Sequence, residues 1–153
     1  MTTSRHPLEP AVRLAVVLCL GVDAWVHLRV APDMQVAAPG GLGGGTLFRV
    51  QAAAAVLAAV LLLVTGSRVP YAVAGLVALS ALGAVLLYSL VNVPALGPVP
   101  SMYDPTWSPD KVVSAVAEGL GVVLAGVGLA LTSRRPGEGR ATSQGAGSRV
   151  AGP

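Results

Sequence analysis

The sequence predicts an all-α polytopic membrane protein, a four-transmembrane-helix bundle followed by a disordered C-terminal tail. Of its 153 residues, 54% are hydrophobic and only 11% are charged, whereas soluble domains carry about 25% charged residues. Four apolar stretches each approach the roughly 20 residues that a helix needs to cross about 30 Å of hydrocarbon. Because these stretches are uniformly apolar and do not alternate, they exclude the strands of a membrane β-barrel.

The four predicted helices form one transmembrane domain over residues 11–131. Residues 1–10 are predicted as a cytoplasmic N-terminal segment. Residues 132–153 are rich in Ser, Gly, Arg and Pro, a composition that cannot bury a core and predicts a disordered cytoplasmic tail. The first helix is expected to end before Pro32, because proline breaks a helix in its interior. The predicted helices span residues 11–30, 47–65, 70–93 and 111–131.

The connections between the predicted helices differ in length and composition. The second and third helices are separated only by Gly66 to Val69, which predicts a tight antiparallel hairpin. The glycine run Gly40 to Gly45 lacks the Gly-Lys-Ser/Thr of a phosphate-binding loop, so it is predicted as a flexible outer loop. The connection from Pro94 to Asp110 contains five prolines and is predicted to be irregular.

The distribution of arginine and lysine predicts the orientation, because cytoplasmic loops carry an excess of these residues. With the N-terminus inside, three basic residues lie outside: Arg29, Arg49 and Lys111. Seven lie inside: Arg5, Arg13, Arg68, Arg134, Arg135, Arg140 and Arg149. Both termini are therefore predicted to be cytoplasmic. Nine arginines against one lysine, with much Ala, Val and Gly, indicate a high-GC bacterial genome and hence the bacterial plasma membrane.

Two carboxylates, Asp23 and Glu118, lie inside predicted helices. A charged group at the centre of a membrane helix costs on the order of 2.5–3.5 kcal/mol by insertion scales, so such groups are functional candidates by default. Each carboxylate lies about seven residues, or roughly 10 Å, from the outer end of its predicted helix. Their shared depth predicts that they lie in one polar cluster in the outer leaflet.

Further polar residues lie at compatible depths on all four predicted helices. His27 follows Asp23 by four residues and shares its helix face. On the fourth helix, Glu118 lies within a stripe of small residues, which is how membrane helices approach closely; its members are Ser114, Gly121, Ala125 and Gly128. The predicted intramembrane polar cluster comprises Asp23, His27, Arg49, Gln51, Tyr88, Asn92 and Glu118.

Two interpretations of this cluster remain open. Asp23, His27 and Glu118 can bind a proton, a cation or a small polar ligand. Alternatively, Asp23 and His27 bond each other while Arg49 neutralises a carboxylate, and the cluster only locks the helices together. No spacing matches a dedicated motif such as His-Glu-x-x-His, so neither a metal ligand nor a cofactor is predicted.

No catalytic residue is predicted either, because the serines inside the predicted helices, Ser80, Ser89 and Ser114, have no histidine at helical spacing. The expected function is a non-enzymatic membrane component or a small-ligand or ion binder. The alternative is a small proton-coupled transporter that acts as an oligomer. The expected partners are the lipid bilayer and a second copy or another membrane protein. Nucleic acid is not expected, because the basic residues form no stripe with aromatics.

Short motifs between residues 13 and 131 carry a family resemblance. They are His27-Leu28, the run GTLFRVQ from Gly45 to Gln51, and a glutamate in the fourth predicted helix. In these the chain resembles uncharacterised small four-helix integral membrane proteins of actinobacteria and, more distantly, DoxX-like proteins. The resemblance implies a membrane location and four helices, and it implies no activity.

Overall fold

The computed structural model describes residues 7–133, and in that range it contains four α-helices and no strand. Each helix is long and apolar enough to cross a membrane. The predicted all-α fold class is confirmed, and the four helices are compatible with a multi-pass membrane protein. Most of the predicted tail lies outside the described residues. The helices are α1 (Glu9–Ala37), α2 (Gly44–Thr65), α3 (Arg68–Leu90) and α4 (Pro109–Ser133).

The four helices form an antiparallel bundle in which α1 packs against α2 and α4, and α3 packs against the same two helices from the opposite side. We call the end formed by residues 38–43 and 91–108 the loop end. The opposite end, with the Gly66–Ser67 turn, the start of α1 and the end of α4, is the hairpin end.

Small side chains fill most of the interface between α2 and its neighbours, and most large apolar side chains of α2 face outward, with Leu62 as a buried exception. Ala52, Ala55 and Ala58 of α2 are buried, whereas Leu57 and Val64 of the same helix are exposed. This arrangement is typical of membrane helices, whose interfaces favour small residues because lipid already solvates the large apolar ones.

The first helix is longer than the sequence predicts, because it continues through Pro32 to Ala37 and does not end at Val30. Proline removes one helical hydrogen bond, here to the carbonyl of Leu28, and membrane helices tolerate this loss more readily than soluble ones. Asp23 consequently lies fourteen residues from each end of α1. It is therefore at the middle of this helix and not about seven residues from one end.

The bounds of the other helices differ by a few residues from those predicted. Helix α2 begins at Gly44 and α3 at Arg68, each earlier than expected, and α4 is two residues longer at both ends. Helix α3 ends at Leu90, so Asn92 lies in the loop that follows. The Pro94–Asp110 connection is irregular, as predicted, apart from an isolated bridge between Leu96 and Val99.

The glycine run at the loop end is a packed turn rather than the predicted flexible loop. Gly44 donates a 2.7 Å hydrogen bond to the carbonyl of Ala38, and Leu42 donates one of 2.8 Å to Pro98. A Cβ added at Gly45 would lie 2.7 Å from Cβ of Gln35 and closer still to a backbone carbonyl of α1. The absence of a side chain at Gly45 therefore sets how closely α2 approaches α1.

A polar contact at the hairpin end joins α1 to α3. Glu9, which the sequence analysis assigns to the N-terminal segment, is buried in the first turn of α1. The hydroxyl of the fully buried Tyr71 donates a 3.1 Å hydrogen bond to Glu9 Oε1, and Arg13 lies 3.7 Å from the same oxygen. Gly128 of α4 leaves room for the Tyr71 ring, which a Cβ at this position would overlap.

Candidate functional site

Three ionisable side chains meet between α1 and α4. Asp23 and Glu118 are 1% exposed and His27 is 6% exposed. One potential ligand atom from each of the three lies within 4.8 Å of the others. We call Asp23, His27 and Glu118 the central polar site.

The position of His27 follows from helix geometry, since residues four apart share a helix face. Its Nδ1 lies 3.0 Å from the backbone carbonyl oxygen of Asp23 and 2.8 Å from Oδ1 of the same residue. On α2, Phe48 packs against the imidazole, with ring centroids 4.9 Å apart. These contacts hold the imidazole beside the Asp23 carboxylate.

Each carboxylate of the central polar site has one oxygen held by a neutral side chain. Gln51 donates from Nε2 to Oδ2 of Asp23 at 3.2 Å and to the carbonyl of Val77 at 3.3 Å, which ties α2 to both α1 and α3. Ser114 donates a 2.6 Å hydrogen bond to Oε1 of Glu118, one helical turn away. Of the second oxygens, Glu118 Oε2 accepts no hydrogen bond from any described residue, and Asp23 Oδ1 is the oxygen that lies 2.8 Å from Nδ1 of His27.

No lysine or arginine in residues 7–133 forms an ion pair with Asp23 or Glu118. Arg49 was predicted to join the cluster as a neutralising partner. In the structure Arg49 is exposed on α2 and forms no ion pair within the described part of the chain. The other described basic residues either pair elsewhere or are exposed: Arg13 with Glu9, Arg29 with Asp110, Lys111 with Asp104, and Arg68 exposed.

A cavity of about 100 Å³ extends from the loop end to His27. Its wall is mainly apolar and includes Tyr88. Asn92, which was predicted to join the polar cluster, is instead exposed in the loop that follows α3. The buried hydroxyl oxygen of Ser89 lines the cavity and has no hydrogen-bond partner among the described residues. The lining residues are His27, Met34, Phe48, Ala81, Ala84, Val85, Tyr88, Ser89, Met102, Asp104 and Lys111.

An ion pair lies where this cavity reaches the loop end. Nζ of Lys111 donates to Oδ2 of Asp104 at 2.8 Å and to its carbonyl oxygen at 2.7 Å. The hydrogen bond from the Lys111 ammonium lowers the pKa of Asp104, and a further bond from the backbone N–H of Thr106 acts in the same direction. The pair ties the 91–108 loop to the first turn of α4.

Of the predicted cluster, the structure brings together Asp23, His27, Gln51 and Glu118, and it places Tyr88 along the cavity.

No family model, curated protein or solved structure matches the chain. The resemblance to actinobacterial four-helix proteins therefore stays a prediction, and the site has to be interpreted from its own geometry.

Two polar contacts, those of Ser114 with Glu118 and of Tyr71 with Glu9, were not predicted from the sequence. The bond from Ser114 to Glu118 had a signal, because the two residues are four apart on one helix. The bond from Tyr71 to Glu9 had no such signal, since it joins residues 62 positions apart.

Proposed function

We propose that this chain is a non-enzymatic component of the bacterial plasma membrane that binds an ion or a small polar ligand at the central polar site. The observation that carries the proposal is the pair of buried carboxylates, Asp23 and Glu118, which form no ion pair with a described lysine or arginine. Oε2 of Glu118 accepts no hydrogen bond from a described residue, and among the ion pairs of the described residues Oδ1 of Asp23 contacts only the imidazole of His27, at 2.8 Å. An unbalanced charge at the centre of a membrane helix costs on the order of 2.5–3.5 kcal/mol by insertion scales. A bound cation or proton offsets that cost.

A purely structural lock explains this arrangement less well. Helices in a membrane are joined adequately by neutral groups, whose hydrogen bonds contribute about 0.6 kcal/mol on average. Gln51 and Ser114 already make such bonds at this site. The contact between Asp23 and His27 that the structural interpretation expects is present, at 2.8 Å. However, two adjacent carboxylates add repulsion to the lock, and Arg49, the cation that this interpretation also requires, is exposed and forms no ion pair with a described residue.

The orientation we propose places both termini in the cytoplasm, on the basis of the arginine distribution. The loop end then faces the outside, and the cavity that reaches His27 opens toward the outer leaflet. A ligand would enter there, past the pair formed by Asp104 and Lys111.

The non-enzymatic assignment is supported by the backbone around Ser114, the hydroxyl nearest to the site. Its oxygen donates to the Glu118 carboxylate, which is how a nucleophile is paired with a base. However, Ser114 lies in the interior of α4, where the backbone N–H groups are already bonded within the helix. An oxyanion at this position would lack the preorganised donors on which acyl transfer depends.

A small proton-coupled transporter that acts as an oligomer is the second candidate. The midpoint position of Asp23 in α1 favours it, since transport sites tend to lie near the bilayer midplane. In vesicles reconstituted with the protein, a pH gradient should then drive solute flux that Glu118→Gln abolishes. Flux that is absent, or equal in the two proteins, would exclude this candidate.

The proposed function is tested by thermal unfolding of the detergent-purified protein in a panel of monovalent and divalent cations, amines and small organic acids. Parent protein, Asp23→Asn and Glu118→Gln are compared, with Arg49→Gln as a matched control, because Arg49 is also polar but lies outside the site. We expect at least one ligand to raise the unfolding temperature of the parent and the control but not of the two site variants. Equal responses of all four proteins to every ligand would refute the proposal.

The proposed orientation has a separate test. Single cysteines replace Ser101 at the loop end and Ser67 at the hairpin end, in a background that carries Cys19→Ser. A membrane-impermeant maleimide should label Ser101→Cys in intact cells and Ser67→Cys only after permeabilisation. The reverse pattern would invert the topology and make the cavity open toward the cytoplasm.

A further inference from the structure

We infer that the central polar site binds one divalent first-row metal ion, with Asp23, His27 and Glu118 as its protein ligands. This inference rests on the proposed function, because it names the class of ligand that the same site takes. Zn²⁺ is the probe we choose, since imidazole and carboxylate are both established zinc ligands.

The donor atoms are close enough to share one ion. Metal–ligand bonds of 2.0–2.2 Å in tetrahedral geometry place the donor atoms about 3.4 Å apart. The potential ligand atoms of the three residues lie within 4.8 Å of one another, so the widest separation would shorten by at most about 1.4 Å to complete a tetrahedral site. One nitrogen and two oxygens also fit the preference of borderline ions such as Zn²⁺ over soft ions, which favour sulfur.

The hydrogen bonds around the three residues resemble the outer shell of a metal site. Outer-shell donors orient ligating carboxylates, and a ligating histidine donates one ring N–H to a carbonyl or carboxylate. Here Gln51 holds one oxygen of Asp23, Ser114 holds one oxygen of Glu118, and Nδ1 of His27 lies 3.0 Å from a backbone carbonyl. These partners leave Glu118 Oε2 without a hydrogen bond from a described residue, so this oxygen is available to a metal. Asp23 Oδ1 lies 2.8 Å from Nδ1 of His27, and a metal would replace this contact.

The charge balance favours a divalent ion over a monovalent one. Two ionised carboxylates and a neutral imidazole carry a formal charge of −2, and no lysine or arginine in residues 7–133 pairs with either carboxylate. A buried charge is stable only when it is paired or coordinates a metal. One divalent ion makes the site formally neutral, whereas Na⁺ or K⁺ would leave a net negative charge inside the bundle.

The test is calorimetric titration of the chelator-stripped, detergent-purified full chain with Zn²⁺, and visible absorption of the Co²⁺-loaded protein as a readout of ligand geometry. We expect one ion per chain in the parent. Glu118→Gln and Asp23→Asn each remove a ligand and should weaken binding by more than 100-fold. Ser114→Ala keeps all three ligands and removes one outer-shell bond, so it should weaken binding by about 10–100-fold.

Ser80→Ala is the matched control for Ser114→Ala. Ser80 is also a helical serine with a hydrogen bond inside its own helix, but it donates to the backbone carbonyl of Val77 and is exposed on α3. It should bind Zn²⁺ as the parent does. Circular dichroism and gel filtration establish that each variant is folded, and if Glu118→Gln does not fold, the comparison of Ser114→Ala with Ser80→Ala still decides the question.

The outcomes separate this inference from the proposed function. Zn²⁺ binding that is equal in the parent, Glu118→Gln and Ser114→Ala would place the metal elsewhere and overturn the inference. If Zn²⁺, Mn²⁺ and Co²⁺ do not bind, but another ligand of the thermal panel stabilises the parent and not Glu118→Gln, the metal inference fails and the proposed function stands. If no ligand of any kind distinguishes parent from variants, both fail.

Discussion

Replacing Gly45 by alanine should separate α2 from α1 and disturb the central polar site from a distance. The added Cβ would lie 2.7 Å from Cβ of Gln35, where ordinary van der Waals contact begins at 3.4 Å, and it would overlap the carbonyl oxygen of Ala31. A backbone carbonyl within a helix cannot rotate away. The helices therefore have to move apart by roughly 0.7 Å or more to restore ordinary contact.

The size of the effect has two parts. Overpacking of this kind costs about 1–3 kcal/mol. Gln51 lies six residues, fewer than two helical turns, along α2 from Gly45. Its 3.2 Å bond to Asp23 should weaken when the helices separate, and an interhelical bond in a membrane protein contributes about 0.6 kcal/mol. Gly83→Ala is the control, because nothing lies within 4 Å of its added Cβ and alanine gains up to about 1 kcal/mol of helix propensity.

We therefore expect Gly45→Ala to be about 2–3 kcal/mol less stable than Gly83→Ala. The measurement is the free energy of unfolding in mixed micelles, from SDS titration followed by circular dichroism. The ligand response of the central polar site should also weaken in Gly45→Ala and remain in Gly83→Ala. Equal stability of the two variants would refute the close helix approach on which this reasoning depends.

Two further predictions concern the two ends of the bundle. Gly128→Ala should be about 1–3 kcal/mol less stable than Gly126→Ala in the same SDS titration. The reason is that a Cβ at Gly128 overlaps the Tyr71 ring, whereas one at Gly126 meets no atom within 4 Å. Equal free energies of unfolding would contradict the packing at the hairpin end. At the loop end, the lowered pKa of Asp104 means that the folded loop favours the charged form of this side chain. The resulting stabilisation of the loop is present at pH values above the ordinary aspartate pKa of about 3.9. It is lost as the pH falls through the lowered pKa. Hydrogen-exchange protection of residues 102–106 should therefore decrease on acidification, and Asp104→Asn should abolish that decrease. If the variant keeps the acid dependence of the parent, the bond from Lys111 does not hold the loop.

Much of the fold could be predicted from local sequence, because membrane-spanning helices need only about 20 apolar residues each, a property of contiguous sequence. The small-residue stripe around Glu118 likewise predicted a buried face, and Ser114, Glu118, Gly121, Ala125 and Gly128 are all buried in α4. The ends of the helices were less predictable. Pro32 was expected to end α1, but the hydrogen bonds that continue the helix to Ala37 outweigh the one that proline removes.

The polar site shows where local sequence stops being informative. Helical spacing places His27 beside Asp23, because both lie on one helix. Depth along the helices also made Arg49 and Asn92 candidate members of the polar cluster, but depth does not determine the direction in which a side chain points. The rotation of α2 turns Gln51 toward Asp23 and leaves Arg49 exposed.

The sequence by itself determined that the chain forms apolar helices and that Asp23 and Glu118 lie within them, since both follow from which residues are neighbours along the chain. Only the tertiary structure decided that one ligand atom from each of Asp23, His27 and Glu118 lies within 4.8 Å of the others, and that Oε2 of Glu118 has no hydrogen bond from a described residue. The physical reason is that contact between helices depends on their rotation and separation. These are set by packing at distant positions such as Gly45 and Gly128, which no local pattern records.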